Sequence, residues 1–128
     1  MSLNDLDLLP EVLRSLSLSD CEIVLPYAAA LDAIAHLRAA GHAFLGWEGW
    51  LQTADGHVGH SSFQGTVGLY RLEGESWHDY VNRTADYCLK TIIEDQRLWA
   101  GSPEAQRGIL HFCITIDQGS PAPDVTVS

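Results

Sequence analysis

Leucines at positions 6, 9, 13 and 16 recur at helical spacing, and Pro10 falls where a first turn tolerates it. Residues 3–18 therefore predict a short amphipathic helix. Glu22-Ile23-Val24-Leu25 is brief and apolar, and reads as a strand or as the lead-in to a second helix. In that helix Tyr27, Leu31, Ile34 and Leu37 fall three or four apart among five alanines, with Pro26 suited to the first turn and Gly41 to the C-terminal cap. The spacing predicts a helix over 27–40.

The pattern then changes period. Residues 43–72 read as β-rich: 43–52 is aromatic and apolar, and Ala54-Asp55-Gly56 carries a hairpin-turn signal. Phe63, Val67 and Leu69 share one parity, as one face of a strand requires, while glycines at 59, 65 and 68 predict bulges or close backbone approach. Ser76-Trp77-His78-Asp79 resembles a capping box opening a helix over 77–99. Its apolar stripe is Trp77, Val81, Cys88, Ile92 and Trp99. Its charged stripe is Asp79, Arg83, Asp86, Lys90 and Glu94, with opposite signs three or four apart. Leu110, Phe112, Ile114 and Ile116 alternate with His111, Cys113 and Thr115, which predicts a strand with one apolar face. The order of elements favours an α+β fold, a single domain over 1–118 with a largely antiparallel sheet packed against two or three helices. Residues 119–128, rich in proline, read as a flexible tail.

Composition fits this picture. The chain has 128 residues, 46% of them hydrophobic, and four tryptophans, enough for a core without disulfide or structural metal. Cys21, Cys88 and Cys113 are odd in number, far apart and set among apolar neighbours, so buried free thiols are expected. The start is acidic where a signal peptide would be basic, and no run spans a bilayer, so the expected location is the cytoplasm. Seventeen acids against seven bases give a net charge of −10. Eight acids and two bases lie before residue 65, nine and five after it, so no single tail carries the charge. Such a field repels nucleic acid and anionic membranes and attracts basic partners, or serves solubility alone.

No complete catalytic or cofactor motif is present, and no cofactor is expected. Phosphate-binding glycine patterns are absent, and Lys90 is the single lysine. Asp55, His57 and His60, with His42 near in sequence, are metal-type side chains, but they flank a hairpin turn without a ligand frame, and polar turn residues are the simpler reading. Cys88 with His111 would be a formal nucleophile pair, yet Cys88 sits in an apolar helix stripe where thiols are inert. The most unusual segment is Leu45-Gly46-Trp47-Glu48-Gly49-Trp50-Leu51. As a strand it puts Leu45, Trp47 and Leu51 on one face and Phe44, Glu48 and Trp50 on the other. Either the strand is covered on both sides with Glu48 paired to a base, or Trp50 lies in a partner-facing patch as an anchor.

That segment, followed by Asp55-Gly56 and by Gly59-His60-Ser61, resembles the small immunity proteins of bacterial polymorphic-toxin and contact-dependent growth-inhibition systems. The alanine-rich helix before it and the Ser76-Trp77 helix after it keep a similar order, over roughly residues 25–100. The resemblance implies a non-enzymatic cytoplasmic inhibitor, monomeric or weakly dimeric, that binds a cognate toxin domain, often a nuclease, and blocks its active site. An acidic inhibitor suits a basic nuclease surface. Glu48, Trp50, Asp55, His57, His60, Glu73 and Glu75 are the candidate partner-binding residues, with the four acids expected to cluster near the hairpin ends. The alternative is a small ligand-binding domain or enzyme, in which His57 or His60 meets Glu48 in a concave site.

Overall fold

Sequence position and burial together explain each element of the computed structural model, which describes residues 4–119. The N-terminal leucines form a 3-10 turn over Asp5–Leu8 and a single helical turn, α1, over Glu11–Arg14. The continuous helix expected over 3–18 is broken at Leu9 and Pro10. Pro10 takes an extended ψ of 155° and acts as the N-cap of α1, not as a first-turn residue. The leucine spacing still serves packing, because Leu6, Leu9 and Leu13 are all buried in the main core.

Ile23–Pro26 is a strand, β1, and α2 follows without a loop over Tyr27–Ala39. Pro26 is its N-cap. The helix closes where Gly41 adopts φ 86°, a conformation that a side chain would resist. Its small face, Ala29, Ala30 and Ala33 with Ile34 and Leu37, is buried against the sheet. α3 spans Trp77–Ala100, opened by the Ser76 hydroxyl accepting the Asp79 N–H at 3.0 Å. Every member of its expected apolar stripe is buried. The expected charged stripe does not pair along the helix as its spacing suggests. Arg83 reaches out to Glu75, Asp86 binds Arg38 of α2 at 2.9 Å, and Glu94 pairs with Arg97 instead. No helix of the described residues is long and apolar enough to cross a membrane.

The strands β2 (Phe44–Thr53), β3 (Val58–His60), β4 (Thr66–Val67) and β5 (Gly108–Ile116) join β1 in one α+β sheet ordered β1-β5-β2-β3, every pairing antiparallel. β5 occupies one whole edge of β2. On the other edge β3 pairs with Trp50–Gln52 and β4 with Gly46–Trp47. The single-parity strand expected through Phe63, Val67 and Leu69 is thereby reduced to two residues. Phe63 and Leu69 turn towards the core and Val67 stays exposed, because the chain between β3 and β4 crosses under β2.

α2 and α3 lie on one face of the sheet, and their contact with it is the core. Trp47, Leu51, Leu110, Phe112, Ile114 and Ile116 meet Ile34, Leu37, Cys88 and Ile92 there. Two hydrogen bonds fix α3 to β2. The Trp47 indole donates to the Thr91 hydroxyl at 2.8 Å, and the buried Thr84 hydroxyl accepts the Phe44 N–H at 3.0 Å. Phe44 was expected on the face of Glu48 and Trp50. An irregularity between Phe44 and Gly46 shifts the register, so Phe44 is fully buried in the core beside Trp47. Of the three thiols, Cys88 and Cys113 are buried as expected, but Cys21 is exposed in the turn before β1.

The glycines of the tryptophan-rich strand are required by the crossing chain. A Cβ on Gly49 would stand 1.8 Å from the Phe63 carbonyl oxygen, and one on Gly46 would stand 1.8 Å from that of Thr66. Both obstacles are backbone, which cannot swing aside. Gly49→Ala should therefore destabilise the fold by about 2 kcal/mol or more, read as a lower urea midpoint. Gly59→Ala, with open space around its Cβ, should stay within about 0.5 kcal/mol of the parent. Equal midpoints for the two variants would contradict the crossing geometry.

Candidate functional site

Alternation along β1, β2 and β5 sends half of their side chains to the face opposite the helices. On that outward face the pairing aligns residues in rungs. His60, Trp50, His111 and Pro26 form one rung, and Val58, Gln52 and Ile109 the next towards the hairpin. Glu48, Cys113 and Val24 form the rung on the other side of Trp50. Trp50 meets the His60 ring edge-on at 5.7 Å between centroids. Its indole nitrogen is out of contact with water and has no hydrogen-bond partner among the described residues. Such an unpaired donor costs stability, which makes Trp50 a poor choice for a purely structural position. Val58 and Ile109 flank it as exposed apolar groups, Ile109 with 56% of its surface accessible.

Acidic groups surround the inner part of this face. The Cys113 thiol donates to Glu22 Oε2 at 3.6 Å. Burial first, then the charges of Glu22, Glu48 and Asp5, push the thiol up to about 12, so it stays protonated and unreactive. Cys88 is likewise pushed up to about 12, by burial alone. It lies in the core on the helix side of the sheet, while His111 lies on the outward side, so the two cannot act as a nucleophile pair.

The seven candidate residues do not form one cluster. Glu48, Trp50 and His60 share the outward face. Asp55 and His57 sit at the exposed hairpin tip, where His57 Nδ1 lies 2.8 Å from Asp55 and the Thr53 hydroxyl also bonds the carboxylate. The Thr53 bond, then the His57 bonds, hold the Asp55 carboxyl below its usual range. Glu73 and Glu75 lie at the other end of β2, in the loop that follows the Leu69 N–H bond to the Leu45 carbonyl. Glu75 is committed structurally: Arg83 binds it through Nε at 2.7 Å and Nη2 at 3.0 Å, and the Leu72 N–H adds a third bond. The Arg83 hydrogen bond holds its carboxyl below the ordinary value. The expected gathering of Glu48, Asp55, Glu73 and Glu75 near the hairpin is corrected accordingly: hairpin pairing separates them along the length of β2.

Glu48 and His60 do line one concave site, a cleft of about 320 Å³ shared with Gly49, Gln64, Gly65 and Val67. No hydrogen bond joins the two. Among the described residues no three His, Cys, Asp or Glu side chains converge as a metal site would need. The floor of this region is fixed from the helix side by Glu104, in the 3-10 turn Pro103–Gln106. Its carboxylate accepts from the Ser61 hydroxyl, the Ser62 N–H and hydroxyl, and the Trp99 indole. Burial alone would raise its pKa, but these four donors outweigh it and hold the carboxyl below the usual value. Glu22, His111, Gln64 and Glu104 were absent from the sequence-based set. Alternation did put His111 on the non-apolar face of β5, whereas the other three depend on contacts 40 or more residues away or on a loop path that no local pattern specifies.

His111 gives the face a pH dependence. Burial lowers its pKa below the ordinary 6.5, partly countered by its bond to the Ile109 carbonyl at 3.2 Å. The unfolded chain therefore takes up the proton first as pH falls, so this stability is present above the unfolded pKa and lost on acidification through the folded one. The urea midpoint should drop between about pH 7.5 and about pH 5, and His111→Gln should flatten that drop. Identical slopes for both proteins would contradict the assignment.

Comparison of the chain with protein-family models, with curated proteins and with solved structures finds no match.

Proposed function

We propose that this chain is an immunity-type inhibitor, which binds a basic bacterial toxin domain through the helix-free face of its sheet. The observation that carries the reading is the one-sided packing. With both long helices on the same side, the opposite face holds half-buried Trp50, exposed Val58 and Ile109, and the carboxylates of Glu48 and Glu22. An aromatic anchor amid apolar groups and flanked by acids is the composition of a binding hot spot for a basic surface. The net charge of −10 adds long-range attraction to the same class of partner. The resemblance of the segment around Trp47 and Trp50 to immunity proteins points the same way.

A second reading, a small ligand-binding domain or enzyme, is favoured by one observation: Glu48 and His60 line the same cleft. Their lack of a mutual hydrogen bond leaves that cleft without an organised acid–base pair.

Co-expression with the toxin-like reading frame encoded beside this one tests the first reading. The expected result is growth rescue and a stable one-to-one complex on co-purification. Trp50→Ala should weaken the complex by about 30-fold or more, and Ile109→Asp, at an exposed position, should weaken it without loss of fold. Ile93→Ala, exposed on α3 away from the sheet, should change nothing. No rescue and no complex would remove the inhibitor reading. Full affinity in both sheet-face variants would remove the face.

A further inference from the structure

The outer edge of β2 is interrupted. β4 pairs with Gly46–Trp47 and β3 with Trp50–Gln52, which leaves Glu48 without a cross-strand neighbour on that side. The chain bridging the gap drops to the helix side. Ser61 is buried and held by Glu104, Phe63 packs against the core, and Gly65 lies against Trp47 so closely that a Cβ there would meet its ring at 2.6 Å. The gap is thus filled from beneath and open from outside. This produces the 320 Å³ notch walled by Glu48, Gly49, His60, Gln64, Gly65 and Val67.

The chemistry of the notch is one-sided. Glu48 is its single acid, half-buried, and no cation pairs with it among the described residues. Glu22 reaches the same face beside Cys113, which strengthens the negative field. A half-buried carboxylate with no cation beside it is open to a cationic ligand. A phosphate or carboxylate ligand would be repelled. A divalent metal would want at least one more anionic or imidazole ligand than Glu48 and His60 provide. A guanidinium meets the walls better. Its planar fork can bond both oxygens of Glu48 and still offer an N–H to the Gln64 amide oxygen. It sheds water more readily than an ammonium, and its methylene stem can lie along Val67.

We propose that the notch beside Glu48 receives the guanidinium of an arginine side chain from the protein partner. This deepens the inhibitor reading and rests on it for the source of the arginine. The Trp50 rung then acts as the apolar anchor next to a charge-specific socket, and the two together set the register of the complex.

The site can be tested on the isolated protein. Isotope-labelled chain is titrated with N-acetyl-argininamide, with N-acetyl-lysinamide in parallel, following the Gly49 and Gly65 amides and the Trp50 indole N–H by NMR. Saturable, millimolar binding of the arginine compound is expected. Binding should be weaker by about tenfold or more for the lysine compound and for Glu48→Gln. Gln64→Ala, in an exposed loop, should weaken it a few-fold and serves if Glu48→Gln perturbs the fold. Absence of saturable shifts, equal binding of lysine, or binding unaffected by both substitutions would overturn the proposal. The growth-rescue assay fails or succeeds separately. Rescue without argininamide binding removes the socket and keeps the inhibitor, and argininamide binding without rescue does the reverse.

Discussion

The close approach to β2 of residues 61–66, which dip beneath the strand and return to its edge at β4, is the constraint on which the rest of this structure depends. It requires a strand without side chains at Gly46 and Gly49, since the carbonyls of Thr66 and Phe63 occupy the space where Cβ atoms would be. Once the chain takes that path, Trp47 is enclosed between the sheet, α3 and Gly65, and its indole is left one partner, the Thr91 hydroxyl. The same path brings Ser61 and Ser62 to Glu104, joining the sheet edge to the end of α3 through a carboxylate with four donors. Of its donors the Ser61 hydroxyl and the Trp99 indole come from buried residues, so those bonds are the ones whose loss would strand a buried polar group.

This arrangement separates two jobs between the faces of one sheet. The helix side is a dense core in which Trp47 meets Phe112 edge-on at 5.0 Å and polar groups are few, with the Gln96 amide oxygen of α3 buried without a partner among the described residues. The outward side keeps, among the described residues, an indole without an acceptor, an unpaired carboxylate, and two exposed aliphatic residues on one rung. Departures from internal consistency concentrate at functional positions in folded proteins. The acidic net charge adds range to that face, and the notch at the interrupted edge adds shape.

The sequence made the helices legible where their signals were local. Ser76, Gly101 and the 3–4 spacing from Trp77 to Trp99 were enough to place α3 within a residue of its end, and the alanine run with Gly41 did the same for α2. Alternation in 110–116 gave β5 and its two faces. What failed was set by tertiary contact. Pro10 broke an apparently continuous leucine helix, and the irregularity after Phe44 reversed that residue's face. Spacing could not show that Arg83 would leave its helix for Glu75, nor that Glu75 would be spent in doing so. Glu48, Trp50 and His60 were legible as unusual residues, but their neighbours Glu22 and Gln64 come from a strand entry and a loop crossing that no period encodes.

Hydrogen exchange of the chain, free and bound to the toxin domain we propose as its partner, tests the use of the sheet face most directly. The account expects new protection at 58–60, 64–67 and 108–111, with the amides of α2 and the solvent side of α3 unchanged. Protection concentrated on 77–100, or at the Asp55–His57 tip alone, would contradict it.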